Sequence, residues 1–123
     1  MNESPGAIGG RDDFITPHNS IAYYRRQLAH FGQRRLDGFL RFYMIPGFGH
    51  GSGAFNAKFD ALPALEVWVE QGQPPSRLTA MDANPNANPN ANRTRPLCEW
   101  PTWPKFTGAP GTENSAASFT CSN

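Results

Sequence analysis

Phe39–Ala54, FLRFYMIPGFGHGSGA, is the stretch on which the reading of this chain turns. Phe39–Ile45 is almost continuously apolar and rich in aromatic rings, with Gly38 before it and Pro46 after it. A run of that kind suits a strand buried on both faces, as in a parallel sheet. Past Pro46 the composition changes to glycine at Gly47, Gly49, Gly51 and Gly53, around a single histidine, His50. Glycines there allow a tight turn and let the imidazole come inward without Cβ clashes.

Upstream, Thr16 and Pro17 read as an N-cap followed by a proline at the first helical position, where a missing N–H costs nothing. Ile21, Tyr24, Leu28 and Phe31 recur at helical spacing and Gly32 supplies a stop, which predicts a helix over Pro17–Phe31. Gln33–Gly38 reads as a polar turn. A helix followed by a buried strand is the second half of a βαβ unit, since parallel strands need such a crossover. The preceding strand would end just before Asp12, so little of it lies in this chain.

Downstream, Asp60 can cap a second helix whose buried stripe is Leu62, Leu65, Trp68 and Val69, with Gly72 as its stop. Arg77–Met81 reads as a short strand or extended segment. The sequence then becomes DANPNANPNANR, Asp82–Arg93, with no apolar side chain larger than alanine. Such a segment cannot bury enough surface to offset chain entropy and reads as an exposed loop. Asn92-Arg93-Thr94 is a glycosylation sequon, relevant only in a host that glycosylates secreted proteins. From Arg95 onward Trp100, Trp103 and Phe106 stand among prolines. Rings without periodicity usually pack onto a neighbouring surface, and a carbohydrate-binding platform is the sharper alternative.

Composition sets bounds on function. The chain has 123 residues, a net charge of +1, and 12 glycines and 12 prolines, so its periodic segments are few and its core is small. That charge argues against nucleic-acid or membrane-surface binding. Arg25, Arg26, Arg34 and Arg35 read as a solvated helix face and its exit loop. No apolar run approaches a bilayer span, and Met1–Arg11 lacks the basic and apolar regions of a signal peptide. Export would therefore depend on a signal upstream of Met1. Cys98 and Cys121 form no CxxC pair, which disfavours zinc. A disulfide closing the tail, implying an oxidising compartment, and two reduced structural thiols both fit that spacing.

The residue types also suggest a chemistry. Nucleophilic ester hydrolysis needs a histidine to take the serine proton and return it to the leaving alcohol, and a carboxylate to hold the imidazole tautomer. In α/β-hydrolases the chain order is serine, then acid, then histidine. Asp12 before the first helix, the run Phe39–Ile45 after it, and His50 on the loop beyond fit that order. His18 and His30, at the two ends of the predicted helix, fit no such role, and the three histidines are too scattered for a metal site.

These blocks resemble the tannase and feruloyl esterase family of α/β-hydrolases. The resemblance rests on GGRDDFITPHNSIAYY, RFYMIPGFGHGSG, FDALPALEVWVEQGQPP, RPLC and AASFTC, in that order and across Gly9–Cys121. It implies that Asp12 is the triad acid, that His50 is the catalytic histidine, and that Cys98 and Cys121 form a disulfide. Ile15, close to Asp12, would wall the acyl pocket. Three features depart from the family pattern. Ile8 stands where the family has a histidine before the first glycine, and Arg11 replaces a small residue. Gly51 follows His50 where many members carry a cysteine bonded to one beside the nucleophile. No nucleophile elbow is present, and Ser52 in GHGSGA reads as a loop residue.

The resemblance therefore implies the C-terminal part of an α/β-hydrolase: the last parallel strands and helices of the sheet, closed by an irregular, disulfide-linked tail. Residues 1–81 would belong to the catalytic domain, 82–94 to the Asn/Pro loop, and 95–123 to the Trp/Pro-rich tail. It implies no cofactor in this segment, calcium belonging to a lid domain absent here. The implied partners are a small aromatic ester and the upstream part of the hydrolase, in a secreted or periplasmic setting. The alternative is a secreted, non-catalytic binding module using the Trp-rich tail.

Overall fold

The structure is a computed structural model, and it describes residues 16–49, 54–84 and 92–123. Helix α1 spans Pro17–Phe31 with the predicted punctuation. Thr16 is extended, and its hydroxyl oxygen accepts from the His18 amide at 3.4 Å. Gly32 ends the helix at φ 74°, its amide donating to the Leu28 carbonyl at 2.9 Å. A residue with a Cβ would resist that positive φ. The helix buries Tyr24, which stacks on Phe42 at 5.2 Å and meets Trp100 edge-on at 5.5 Å.

Gln33–Gly38, predicted as a turn, contains a one-turn helix, α2, over Gln33–Leu36. Leu36 is fully buried, which gives this polar stretch an apolar anchor. The segment that follows departs further from expectation. Phe39–Ile45 is extended but forms no ladder among the described residues. It makes a single antiparallel bridge, Tyr43 to Glu99, with the Trp100 amide donating to the Phe42 carbonyl at 2.8 Å. Phe39 is 55% exposed, so the run is not buried on both faces here. Strand formation requires neighbours, and within the described residues this segment has one partial neighbour.

The ladders that do form among the described residues are antiparallel and use segments other than Phe39–Ile45. Strands β1 (Ala57–Lys58), β2 (Thr79–Asp82) and β3 (Thr94–Pro96) lie in that order, with Ala57 opposite Asp82 and Ala80 opposite Arg95. Phe55, Ala80 and Leu97 form the core beneath them, flanked by Tyr43, Ile45, Ala57 and Leu78. Helix α3 spans Leu62–Gln71 and ends as predicted at Gly72, which is left-handed at φ 67° and ψ 19°. Its cap is Ala61 rather than Asp60, with no side-chain bond. Its stripe is not buried here: Leu62 is 61%, Leu65 51% and Val69 76% exposed. Trp68 is half-buried, with the Arg41 guanidinium over its ring at 5.5 Å.

The tail is more regular than its prolines suggest. Strands β4 (Trp103–Phe106) and β5 (Phe119–Ser122) pair antiparallel, with Pro104 opposite Cys121. A proline is tolerated in a two-stranded sheet because one side of each strand needs no partner. Phe106 meets Phe119 edge-on at 5.4 Å, and Arg95 lies over the Phe119 ring at 4.2 Å. Cys98 and Cys121 are joined by a disulfide with Cα atoms 5.4 Å apart, across 23 residues of sequence. It ties the buried chain after β3 to β5. Replacing both cysteines by alanine is expected to lower stability by about 3 kcal/mol. The shift in urea midpoint under oxidising conditions measures it.

Candidate active site

Asp12, Ile15, His50 and Ser52 lie outside the described residues, as does the Asn/Pro repeat over 85–91. The structure describes the frame on either side of the histidine loop. Upstream of that loop, the Phe48 amide donates to the Ile45 carbonyl at 3.3 Å, and Gly47 turns at φ 78°. The Phe55 amide then donates back to the Gly47 carbonyl at 3.0 Å, closing the loop at its base. A Cβ on Gly47 would lie 3.5 Å from the Phe55 amide nitrogen. That spacing is ordinary contact, so the positive φ is what favours glycine. Phe55 is buried in the core, which roots the downstream end of the loop.

A buried ion pair sits against that root. The Asp82 side chain is fully buried, and its Oδ2 accepts from Arg93 Nη2 at 2.5 Å. Its Oδ1 accepts from the Asn56 amide at 3.0 Å and the Asn84 amide at 3.1 Å. Arg93 Nη2 also donates to the Ala54 carbonyl, and the guanidinium lies over the Phe55 ring at 5.2 Å. Burial on its own would raise the Asp82 carboxyl, but the two amides and the Arg93 guanidinium outweigh it. They hold it below the usual carboxylate range.

Neither residue was singled out from sequence, because both fall at the ends of the Asn/Pro stretch. A signal was available in the alternation of β2. Ala80 and Asp82 stand two apart on a strand and share a face, so a core position at Ala80 carries Asp82 inward too. A carboxylate placed there needs a cation, and Arg93 stands at the other end of the loop.

A second charged group joins α2 to the tail. Arg41 Nη1 lies 3.0 Å from Asp37 Oδ1 and 3.5 Å from Glu99 Oε1. Burial raises the Glu99 carboxyl, with Arg41 opposing and Asp37 reinforcing the shift. Burial, reinforced by Glu99, likewise raises the Tyr43 phenol. This cluster crosses the extended segment that leads to the histidine loop. Against the loop base is a cavity of about 300 Å³, walled by Ile45, Pro46, Phe55, Trp103 and Phe119 and edged by Arg93.

Among the aromatic side chains of the tail, Trp100 is packed inward on Tyr24 with Arg25 over its ring at 5.3 Å. His18 and His30 are exposed on α1, and His30 rests edge-on against Phe31 at 4.6 Å. No three acidic, histidine or cysteine side chains gather as a metal site among the described residues. No helix among them is long and apolar enough to cross a membrane.

Known proteins supply an independent comparison. The family model described as tannase and feruloyl esterase matches residues 7–122. An uncharacterised esterase of Agrobacterium fabrum is 37% identical over 115 residues, covering 94% of this chain and 20% of that protein. The mono(2-hydroxyethyl) terephthalate hydrolase of Piscinibacter sakaiensis is 38% identical over 114 residues, covering 92% of this chain and 18% of the hydrolase. Feruloyl esterase B of Aspergillus niger is 30% identical over 130 residues, covering 92% and 24%. In structure, an esterase from Aspergillus oryzae superposes with a TM-score of 0.73 at 27% identity, over 90% of this chain and 25% of that one. The chain thus spans about a fifth to a quarter of the length of these relatives. With a family match across nearly its whole length, this chain belongs to the tannase and feruloyl esterase family.

Proposed function

We propose that this chain is the acid- and histidine-bearing part of a serine-type carboxylic ester hydrolase acting on esters of aromatic acids. The observation that carries the reading is the family match over residues 7–122, which takes in Asp12, His50 and both cysteines. The relatives' names support the substrate class, since they include feruloyl esterases and a terephthalate ester hydrolase. The bond from the Phe55 amide to the Gly47 carbonyl ties together the two described ends that flank His50 in sequence.

In this reading His50 takes the proton from a serine hydroxyl as that oxygen attacks the ester carbonyl. It then gives the proton to the departing alkoxide, leaving an acyl-enzyme. A water attacks the acyl carbon, losing its proton to His50, and the serine oxygen leaves with that proton as the acid is released. Asp12 holds the imidazole in the tautomer that can accept, and Ile15 lines the acyl side. The serine and the oxyanion donors come from the remainder of the hydrolase. The chain itself is then the C-terminal part of an α/β-hydrolase, with Phe39–Ile45 completing a parallel sheet against strands outside it. The single bridge that this segment makes among the described residues and the uncovered stripe of α3 support this placement. The disulfide supports a secreted or periplasmic setting.

A graft tests the proposal. This chain replaces the matching fifth of the Agrobacterium fabrum esterase, and the product is assayed on methyl ferulate and a p-nitrophenyl ester. Turnover by the graft, and none by the 123 residues alone, is the expected result. Turnover by the 123 residues alone that is abolished by His50→Ala would sink the reading of a partial hydrolase.

A further inference from the structure

We infer that the cavity between the core and the β4–β5 tail is a binding site for a small aromatic monocarboxylate, held by Arg95. The inference begins from the charges around that cavity. Two guanidiniums, those of Arg93 and Arg95, line it. Arg93 is committed to Asp82, whose side chain is fully buried. Arg95 has no carboxylate within ion-pair distance among the described residues. Glu113 offers Arg95 only its main-chain carbonyl, and its own Oε1 accepts from the Gly111 amide at 3.0 Å. One positive charge at the cavity is therefore without a counter-ion among the described residues.

Arg95 is nonetheless fixed in place. Its Nη1 donates to the Thr94 and Glu113 carbonyls, each at 2.7 Å, and its guanidinium lies over the Phe119 ring at 4.2 Å. Those bonds use one nitrogen, and Nε and Nη2 have no acceptor among the described residues. Partial burial, reinforced by the Arg93 charge and opposed by Asp82, lowers the Arg95 guanidinium from its ordinary value. An arriving anion would offset that cost of desolvation. A carboxylate suits the place, because its two oxygens can accept from Nε and Nη2 side by side.

The walls decide the rest of the ligand. Phe55, Trp103 and Phe119 supply rings, and Ile45 and Pro46 supply aliphatic surface. The volume of about 300 Å³ lies at the small end for ligand pockets, which suits one ring with a short substituent rather than a polymer. A sugar would leave hydroxyls unpaired against such walls. A dianion would exceed the single uncompensated charge. The claim concerns binding and does not rest on His50 or on the proposed reaction, although that reaction would release an acid of this class.

The probe is cinnamate, with cinnamamide as its uncharged isostere and acetate as a carboxylate without a ring. Each is titrated calorimetrically into the grafted hydrolase and its Arg95→Met and Trp103→Ala variants, once a cooperative thermal transition is recorded for each protein. Cinnamate is expected to saturate in the millimolar range or below, with cinnamamide and acetate about tenfold weaker or more. Arg95→Met should weaken cinnamate by about tenfold or more. Trp103→Ala should weaken cinnamate and leave acetate unchanged. If Arg95→Met does not fold, the acid–amide comparison and Trp103→Ala carry the test. Equal affinity for cinnamate and cinnamamide, or an affinity untouched by either substitution, overturns the inference. A folded graft without saturable binding also overturns it, since the rest of the hydrolase would then fill the cavity. Ester turnover by the same graft is a separate readout, and its absence bears on the proposed function alone.

Discussion

His50→Ala in the grafted hydrolase is expected to lower kcat by about 10⁴- to 10⁶-fold, the range lost when a triad histidine is removed. The residual rate would come from substrate binding and the oxyanion donors. Asp12→Asn should cost about 10⁴-fold, because an amide in place of the carboxylate favours the wrong imidazole tautomer without moving the ring. The two substrates should respond differently. Expelling methanol from methyl ferulate needs a proton from the histidine, whereas p-nitrophenolate leaves without one. Both variants should therefore lose more on the methyl ester than on the p-nitrophenyl ester. Steady-state kinetics on the pair measure the difference. Equal losses would place His50 outside the leaving-group step.

Asp82→Ala is expected to carry the largest stability effect of any single change among the described residues. Removing one partner of a buried ion pair leaves the other charge desolvated and typically costs 3–5 kcal/mol. A small domain has only about 5–15 kcal/mol in all, so a loss of about 3 kcal/mol removes a large share of it. The Asp82→Ala, Arg93→Ala double variant should be less destabilised than the sum of the two singles, since no charge is stranded. Urea titration of all three gives the coupling.

The same pair predicts an acid limit. Burial alone would raise the Asp82 carboxyl, but the Asn56 and Asn84 amides and Arg93 hold it below its unfolded value. A carboxyl whose pKa is depressed on folding stabilises the fold fully above its unfolded pKa, about 3.9. That contribution is lost as pH falls from there through the folded value. Stability should therefore drop below about pH 4, and the drop should be smaller in Asp82→Ala.

What could be read from sequence was what local chemistry decides. Thr16, Pro17 and Gly32 set the ends of α1 by capping and by positive φ, and those rules need no tertiary partner. Gly72 ended α3 for the same reason. The expectations the described residues do not bear out are those whose outcome depends on neighbours. Phe39–Ile45 has the composition of a buried strand, but a ladder is shared property and the described residues supply one bridge. Leu62, Leu65 and Val69 have helical spacing, yet spacing cannot say whether a surface is there to cover them.

The composition of 82–94 suggested a loop from end to end. Pairing between Met81 and Thr94 nevertheless draws Asp82 and Arg93 into structured chain. At the candidate site, Asp12 and His50 are proposed from motif order and lie outside the described residues. The Asp82–Arg93 pair was not singled out, because a buried pair is visible only once β2 brings its face inward.

The uncovered stripe of α3 makes this chain a surveying instrument for its own surroundings. The Val69 side chain is already in water, so a polar substitution there should leave the 123 residues indifferent. The same substitution in the grafted hydrolase would be felt wherever the rest of that enzyme presses on the helix. A position scored twice, once in each setting, yields a difference that belongs to the seam alone. Walked from Leu62 to Val69, those differences would trace the outline of the neighbouring surface one helical turn at a time.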